Sequence, residues 1–405
     1  MSRILYLTRN GLLEPLGQSQ VIAYLRGLAA DHRIVLITHE KPEDLADAGR
    51  MAAAHADCAA HGIRWLPQPF RARPRLVAPA LSLLRMTWMA WRMARRGEVG
   101  LIHARSYIPA AVGWVVWRLT GVPFIFDMRA LWPEEMITAG RLRRGSLVHR
   151  LLLRMERVCL RDAAALVSLT HAAVAHLRAV YPQEMEGQRI AVIPTCADLD
   201  RFTPGTERRD GPCVHGCIGT VLSGWFRLDW LAAWIAAAAA RDPEARFEIV
   251  TRDDAGRVRA ALDPEGGLGA RLRIGGRRPE EMPDAVRAHD LSVMFYDGGA
   301  VSELGRSPTR MAEVLGCGLP VVANAGVGDV ARIVSEHRVG VLVEGPEPAQ
   351  MAAALTDLEA LRADPDLPRR CRAAAEAVFA LSVGTEAYRQ LYAEIVAAEP
   401  RRCAA

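Results

Sequence analysis

The run SPTRMAE at 307–313 brings together residue types suited to holding a phosphorylated ligand. Ser307 is a favoured N-cap and Pro308 a favoured first helical residue. A helix is therefore predicted to start here, with free N–H groups and the positive end of its dipole presented outward. A diphosphate suits such a helix start. Arg310, in the first turn, offers a planar fork to two phosphate oxygens. Arg310 and Glu313 are i,i+3 neighbours, and a carboxylate at 313 can accept hydrogen bonds from two vicinal hydroxyls, as on a ribose. The same spacing also fits an ordinary capped helix with an i,i+3 ion pair.

Positive charge in this chain is almost wholly arginine: among 51 Lys and Arg residues, Lys41 is the one lysine. Any phosphate clamp here must then be a guanidinium fork and not an ammonium point charge. Lys41 itself lies far from every motif along the sequence. The net charge of +5 is too small to argue for nucleic acid, and no aromatic-plus-basic module is present. Eight cysteines are scattered, and the first residues read as a strand and not as a secretory signal, so the cysteines are expected to be buried small hydrophobes. Cys213 and Cys217 form half of a metal site at most, since no second ligand pair at zinc spacing follows. Asp198 and Asp200 read as a solvated turn. Glu134 and Glu135, adjacent on a helix, point about 100° apart and do not converge on one bond.

These residues need a scaffold, and the composition supplies one. A chain of 405 residues, 51% hydrophobic and 24% charged, is globular and long enough for two domains. Short apolar runs at 3–8, 33–38, 63–66, 101–103, 123–127, 165–168 and 190–193 alternate with helical segments at 19–30, 43–61, 76–95, 109–119, 142–161 and 171–180. Such alternation predicts a parallel sheet covered on both faces. The apolar stretch 107–126 breaks at Arg118, Gly121 and Pro123 into a helix and a strand, so it is not a membrane span. The pattern fails across 196–212, a polar Pro/Gly/Arg run that reads as a linker, and then restarts. Strands follow at 214–219, 247–251, 272–274, 291–295, 320–323 and 339–343, with helices at 227–240, 308–316, 348–361, 367–380 and 383–398. The predicted fold class is α/β, with two doubly wound Rossmann-like domains, 1–195 and 213–382, and a final segment 383–405. In this architecture ligands bind outside the C-terminal ends of strands, so an interdomain cleft is the expected site.

The wording SPTRMAEVLGCGLPVVAN, with LLEPLGQSQ at 12–20, HARS at 103–106, FDMRALWPE at 126–134 and VIPTCADLDRF at 192–202, resembles the family 4 retaining glycosyltransferases of GT-B fold. The resemblance covers most of the chain. It implies a transferase that moves a sugar from a nucleotide diphosphate sugar to a glycan or lipid-linked acceptor, with no metal and no cofactor beyond that donor. Glu313 would bind the ribose, and Ser307, Pro308, Thr309 and Arg310 the diphosphate. The 219–224 loop, with Gly219 and Gly224, would approach the pyrophosphate, and Arg277 or Arg278 would line the base pocket. Asp127, Arg105 and Arg129, at strand ends of the acceptor-binding first domain, would face the reacting sugar or acceptor. The final helix, with Tyr388 and Tyr392, would return to the first domain. Two departures stand out: relatives carry a second Glu where this chain has Gly305, with Glu303 two positions off, and an Arg/Lys pair of which only Arg227 is near. A non-catalytic partner subunit and a sugar-nucleotide epimerase are the competing readings.

From 71 to 96 arginines cluster at both ends around Leu, Met, Trp88 and Trp91. This segment reads either as a sheet-covering helix with solvated ends or as a cationic amphipathic helix on an anionic membrane surface. The expected location is cytoplasmic, with peripheral attachment to the inner face of the membrane under the second reading.

Overall fold

The computed structural model describes residues 2–70, 77–205 and 211–398, which divide into two compact units. The first unit comprises 1–194 and 381–405, and the second 195–380. In the first unit, strands β1 (Ser2–Leu7), β2 (His32–Glu40), β3 (Arg64–Pro69), β4 (Leu101–Arg105), β5 (Phe124–Met128), β6 (Ala165–Ser168) and β7 (Ile190–Val192) form one sheet. Its order is β3-β2-β1-β4-β5-β6-β7, and all neighbours pair in parallel. Every residue of β4 and of β5 is buried. Continuous apolar runs were the correct signal for strands covered on both faces.

The order reverses direction between β1 and β4, which makes the ends of these two strands the switch point where such sheets bind ligands. Arg105 ends β4 in register with Asp127 of β5. The expected helix at 19–30 is interrupted: a π-helical turn, Gln18–Ile22, links Pro15–Gly17 to Ala23–Leu28. The closing helix Leu381–Ala398 belongs to the first unit and packs on Ala23–Leu28.

The second unit repeats the plan. Strands β8 (Val214–Ile218), β9 (Arg246–Val250), β10 (Leu272–Gly275), β11 (Leu291–Met294), β12 (Val321–Asn324) and β13 (Gly340–Val343) lie in the order β10-β9-β8-β11-β12-β13, all parallel. The switch point falls between β8 and β11. Helices Trp132–Thr138, Ala255–Leu262, Met282–Arg287 and Val330–His337 add to those expected from periodicity; each is eight residues or fewer, too short for a clear helical stripe.

The segment 196–212 differs from the linker its composition suggested. Ala197, Leu199 and Phe202 are core residues of the second unit, and Ala197 N–H donates to Phe379 O at 2.9 Å. Three apolar anchors in a polar run are enough to fix it to a neighbouring core. Residues 206–210 of that segment lie outside the described residues, as do 399–405 at the other end.

Candidate functional site

At the β8–β11 switch point of the second unit, the backbone turns at Gly219 with φ +92, a conformation that favours glycine. Arg310 occupies the space this leaves: its Nη2 donates to Thr220 O at 3.2 Å. The guanidinium carbon lies 5.4 Å from the centre of the Phe226 ring and 5.5 Å from that of Tyr296. Arg306 repeats the arrangement between Trp225, at 5.3 Å, and Tyr296, at 5.6 Å. The result is a ladder Trp225–Arg306–Tyr296–Arg310–Phe226 of alternating rings and cations. Its central rung is fixed from β12, because Asn324 Oδ1 accepts from Tyr296 N–H at 2.9 Å and Asn324 Nδ2 donates to Tyr296 O at 3.0 Å.

The two cations differ in their partners. Glu303, itself buried, holds Arg306 through a bidentate ion pair, one arm of which is 2.8 Å. Arg310 Nη1 is buried with no hydrogen-bond partner among the described residues. An unmet charged donor in a buried position is costly, and an anion is a ligand that would satisfy it.

The loop beside it is anchored by a residue that sequence reading missed. Asp253 accepts from the N–H groups of Val221 at 2.6 Å and Leu222 at 2.9 Å. Burial acts to raise the Asp253 carboxyl, but these N–H donors, Thr251 and the nearby Arg310 outweigh it and hold it below its ordinary value. Its partners lie 31 and 32 residues away along the chain, so no local motif signals it.

The helix at the centre of the motif is Thr309–Gly316, with Pro308 and not Ser307 in the N-cap position. The Ser307 hydroxyl is used elsewhere, accepting from Thr195 N–H at 3.0 Å. Thr309 and Arg310 still stand in the first turn, where N–H groups have no intrahelical carbonyl. The expected alternative, an Arg310–Glu313 ion pair, does not form: Arg310 turns towards Thr220. The Glu313 carboxylate has no hydrogen-bond partner among the described residues, and burial raises its pKa to about 7 against the pull of Arg310 and Arg201.

The remaining residues read from the sequence separate clearly. Arg277 donates to Glu248 at 3.0 Å and Arg278 pairs with Glu281, so both are engaged at the surface. A side chain at Gly224 would meet nothing within 4 Å, so no close approach requires glycine there. Gly305 ends a 3-10 turn, Val301–Gly305. Cys213 and Cys217 do not make a metal pair: Cys213 Sγ lies 3.0 Å from Arg362 Nη1, while His215 between them accepts from Trp234 Nε1 at 3.1 Å. Asp198 Oδ1 accepts from Asp200 N–H at 3.1 Å, forming a turn.

In the first unit, Asp127, Arg105 and Arg129 do come together, but not as groups facing outward. Asp127 is fully buried. Its Oδ2 accepts from Tyr388 OH at 3.1 Å and lies 3.1 Å from His103 Nε2 and 3.7 Å from Arg105 Nη1. Its Oδ1 is 3.4 Å from Arg129 Nη1. Tyr392 OH completes the set at 2.6 Å from His103 Nδ1. Burial alone would raise the Asp127 carboxyl; Arg129, His103 and Arg105 outweigh it and hold it well below the carboxylate range. The expectation that Asp127 faces a reacting sugar is therefore corrected: its oxygens are spent on holding two arginines and two elements together.

Next to Arg105, Ser106 adopts φ 77, ψ 174, a region otherwise nearly reserved for glycine, as the chain turns from β4 into the helix Tyr107–Thr120. Ser106 N–H donates to Asp127 O at 2.7 Å, which fixes this turn. The loop after β1 is held by buried Glu40, which accepts from Leu12 N–H at 2.7 Å and Leu13 N–H at 3.3 Å. Lys41 is not remote from the motifs in space: its Nζ is 3.0 Å from Glu14, inside LLEPLGQSQ. Glu134 pairs with Arg144.

Comparison with known proteins agrees with this architecture. The model of "Glycosyltransferase Family 4" matches residues 17–201, and that of "Glycosyl transferases group 1" matches 212–360. A D-inositol 3-phosphate glycosyltransferase of Streptomyces scabiei is 29% identical over 325 residues, covering 76% of this chain and 70% of that protein. A second from Streptomyces avermitilis is 28% identical over 352 residues, covering 82% and 73%. Among solved structures, sucrose-phosphate synthase from Thermosynechococcus elongatus aligns with a TM-score of 0.68 at 19% identity, covering 98% of this chain and 100% of that one. HepE of Anabaena in complex with UDP-glucose aligns with a TM-score of 0.66, also at 19% identity and the same coverage.

Proposed function

Because the chain belongs to the family 4 (group 1) glycosyltransferases of GT-B fold, enzymes that use nucleotide sugars, we propose that it is a retaining, metal-independent transferase acting on a glycan or lipid-linked acceptor. The observation that carries this reading is Arg310, whose buried Nη1 has no hydrogen-bond partner among the described residues, beside Gly219 and a helix start. A nucleotide diphosphate there would receive the Arg310 fork and the first N–H groups of the helix, and Glu313 would accept from the ribose hydroxyls.

With the departing diphosphate stabilised by fixed donors, no metal is needed to bear its charge. The acceptor hydroxyl then attacks from the face that the diphosphate leaves. The C–O bond to the leaving phosphate breaks as the new C–O bond forms, and the acceptor proton passes to the leaving phosphate oxygen. No protein nucleophile is required, and the anomeric configuration is retained.

Acceptor binding falls to the first unit, at the switch point where the chain turns out of β4 at Ser106. The curated relatives named above carry D-inositol 3-phosphate in their names, which supports a polyhydroxyl acceptor. A lipid-linked acceptor places the enzyme at the inner face of a membrane, in the service of a surface polysaccharide or glycolipid.

Isothermal calorimetry with UDP- and GDP-sugars tests the donor site. Arg310→Ala and Glu313→Gln are each expected to weaken binding about tenfold or more; unchanged affinity in both removes the proposed pocket. A second reading, a non-catalytic partner subunit, is favoured by one feature: Gly305 offers no carboxylate and Glu303 is tied to Arg306. Hydrolysis of the donor in the absence of acceptor separates the two, since a silent subunit has none.

A further inference from the structure

Three helices lie side by side on one face of the first unit's sheet. Val77–Arg95 leads into β4, Tyr107–Thr120 connects β4 to β5, and Leu147–Asp162 leads from β5 towards β6. All three crossovers run in the same direction across the sheet, and right-handed crossovers then share a face. The first helix packs on the second and the second on the third. Each runs back against the strands, so their first turns gather at the C-terminal edge of the sheet, the edge that carries Arg105, Ser106 and Arg129.

The inner side of Val77–Arg95 is apolar as expected, with Met86, Ala90, Met93 and Ala94 buried. Its outer side is apolar too. Leu81 is 60% exposed, Leu84 65% and Trp88 52%, at spacings of three and four that put them on one stripe. The third helix begins the same way: Leu147, Val148 and Leu151 are 78%, 59% and 63% exposed. A helix with its inner face already filled gains nothing from a second apolar face in water, so these tips mark a contact surface.

The surrounding charge identifies what they contact. Arg85 and Arg92 on the first helix, and Arg143, Arg150 and Arg154 at the start of the third, are all exposed, and Arg92 lies over the Trp88 ring at 5.1 Å. Neither 77–96 nor 139–154 contains an aspartate or glutamate. Arg71, Arg73 and Arg75, which precede the first helix, lie outside the described residues. Exposed Leu and Trp side chains flanked by arginines that have no acidic partner among the described residues complement a bilayer with anionic headgroups, where the rings and leucines enter the interface and the guanidinium groups meet phosphate.

We infer that the outward stripe Leu81–Leu84–Trp88 of Val77–Arg95 and the first turns of Leu147–Asp162 form one docking surface for an anionic lipid bilayer. Bound this way, the membrane lies along the sheet edge that holds the acceptor-side residues. The inference deepens the lipid-linked part of the proposed function and rests on it.

Co-sedimentation of the full chain with phosphatidylcholine vesicles, with and without phosphatidylglycerol, tests this at low salt without donor. The chain is expected to bind the anionic vesicles about tenfold or more tightly than the neutral ones, and to be released as salt rises. The variant Leu84→Glu/Trp88→Glu/Leu147→Glu changes exposed positions only. It is expected to lose vesicle binding while its thermal unfolding and its calorimetric affinity for nucleotide stay at the wild-type values. Failure of the wild type to bind anionic vesicles at low salt overturns the inference, as does a triple variant that binds like the wild type. A dimer that the triple variant converts to monomer, with vesicles ignored by both, assigns the patch to self-association and also overturns it. The vesicle-binding outcomes do not depend on Arg310, and thermal unfolding alone reports an intact fold, so failure of the donor site is read separately.

Discussion

Arg310 passes so close to Gly219 that a methyl group on residue 219 would stand 2.6 Å from its Nη2. The two residues are a lock: glycine supplies both the φ of +92 and the empty space, and the arginine fills it. Gly219→Ala is expected to cost about 1–3 kcal/mol in stability from the strained backbone. It should also displace the guanidinium and weaken nucleotide binding about tenfold. Denaturant unfolding and calorimetry on one preparation check both numbers.

If the donor binds at Arg310 as proposed, Tyr296 acts on it through Arg310, as a positioning residue. Its ring is shared by Arg306 and Arg310 and its backbone is held at both polar atoms by Asn324. Tyr296→Phe keeps the ring and is expected to bind nucleotide within about twofold of wild type, whereas Tyr296→Leu removes two cation–ring contacts worth about 0.5–2 kcal/mol each. The expected signature is a raised KM for donor in Tyr296→Leu and its recovery in Tyr296→Phe. Equal losses in both variants would assign the effect to the hydroxyl and not to the ring.

Glu313 should give the free protein a distinct pH dependence. Its carboxyl is raised from 4.5 to about 7 by burial, so between those values the folded state holds a proton that the unfolded state has lost. Stability from this group is fully present below about pH 4.5 and disappears as pH rises through about 7. Glu313→Gln is neutral at every pH and is expected to remove this slope, gaining about 3 kcal/mol over wild type at pH 8. Thermal unfolding of both proteins between pH 5 and pH 8 checks it. Coincident slopes would mean that the carboxylate finds a partner in solution.

Much of this was legible in the sequence, for a physical reason. Parallel strands covered on both faces must be continuously apolar, so β1 to β13 stand out as short runs. The helix start at 307–313 announces itself by residue type. What the sequence hid are groups whose partners are remote in the chain. Asp127 at a strand end looks like a group facing a ligand, and only Tyr388, brought from the closing helix, reveals it as buried. Glu40 and Asp253 secure loops nearly thirty or more residues away through backbone N–H groups that carry no side-chain signature. The exposed Leu81 and Leu84 differ in no local way from the buried Met86: periodicity identifies an apolar face, but not which face meets the sheet.

The Asp127 network joins β4, β5 and the closing helix, so its members should differ in cost by what each leaves behind. Asp127→Asn removes the charge opposite Arg105 and Arg129, whose Nη1 and Nε respectively are already buried without hydrogen-bond partners among the described residues. Two buried guanidinium groups without a counter-charge are expected to cost about 3–5 kcal/mol. Tyr388→Phe removes one hydroxyl donor to a carboxylate that keeps its other partners, for about 1–2 kcal/mol. His103 is held neutral at pH 7 by burial, which lowers its pKa despite the attraction of Asp127, so His103→Gln, without a charge to lose, belongs with the milder class. Urea unfolding of the three variants ranks them. If Asp127→Asn proves no worse than Tyr388→Phe, the carboxylate is not the counter-charge of the two arginines.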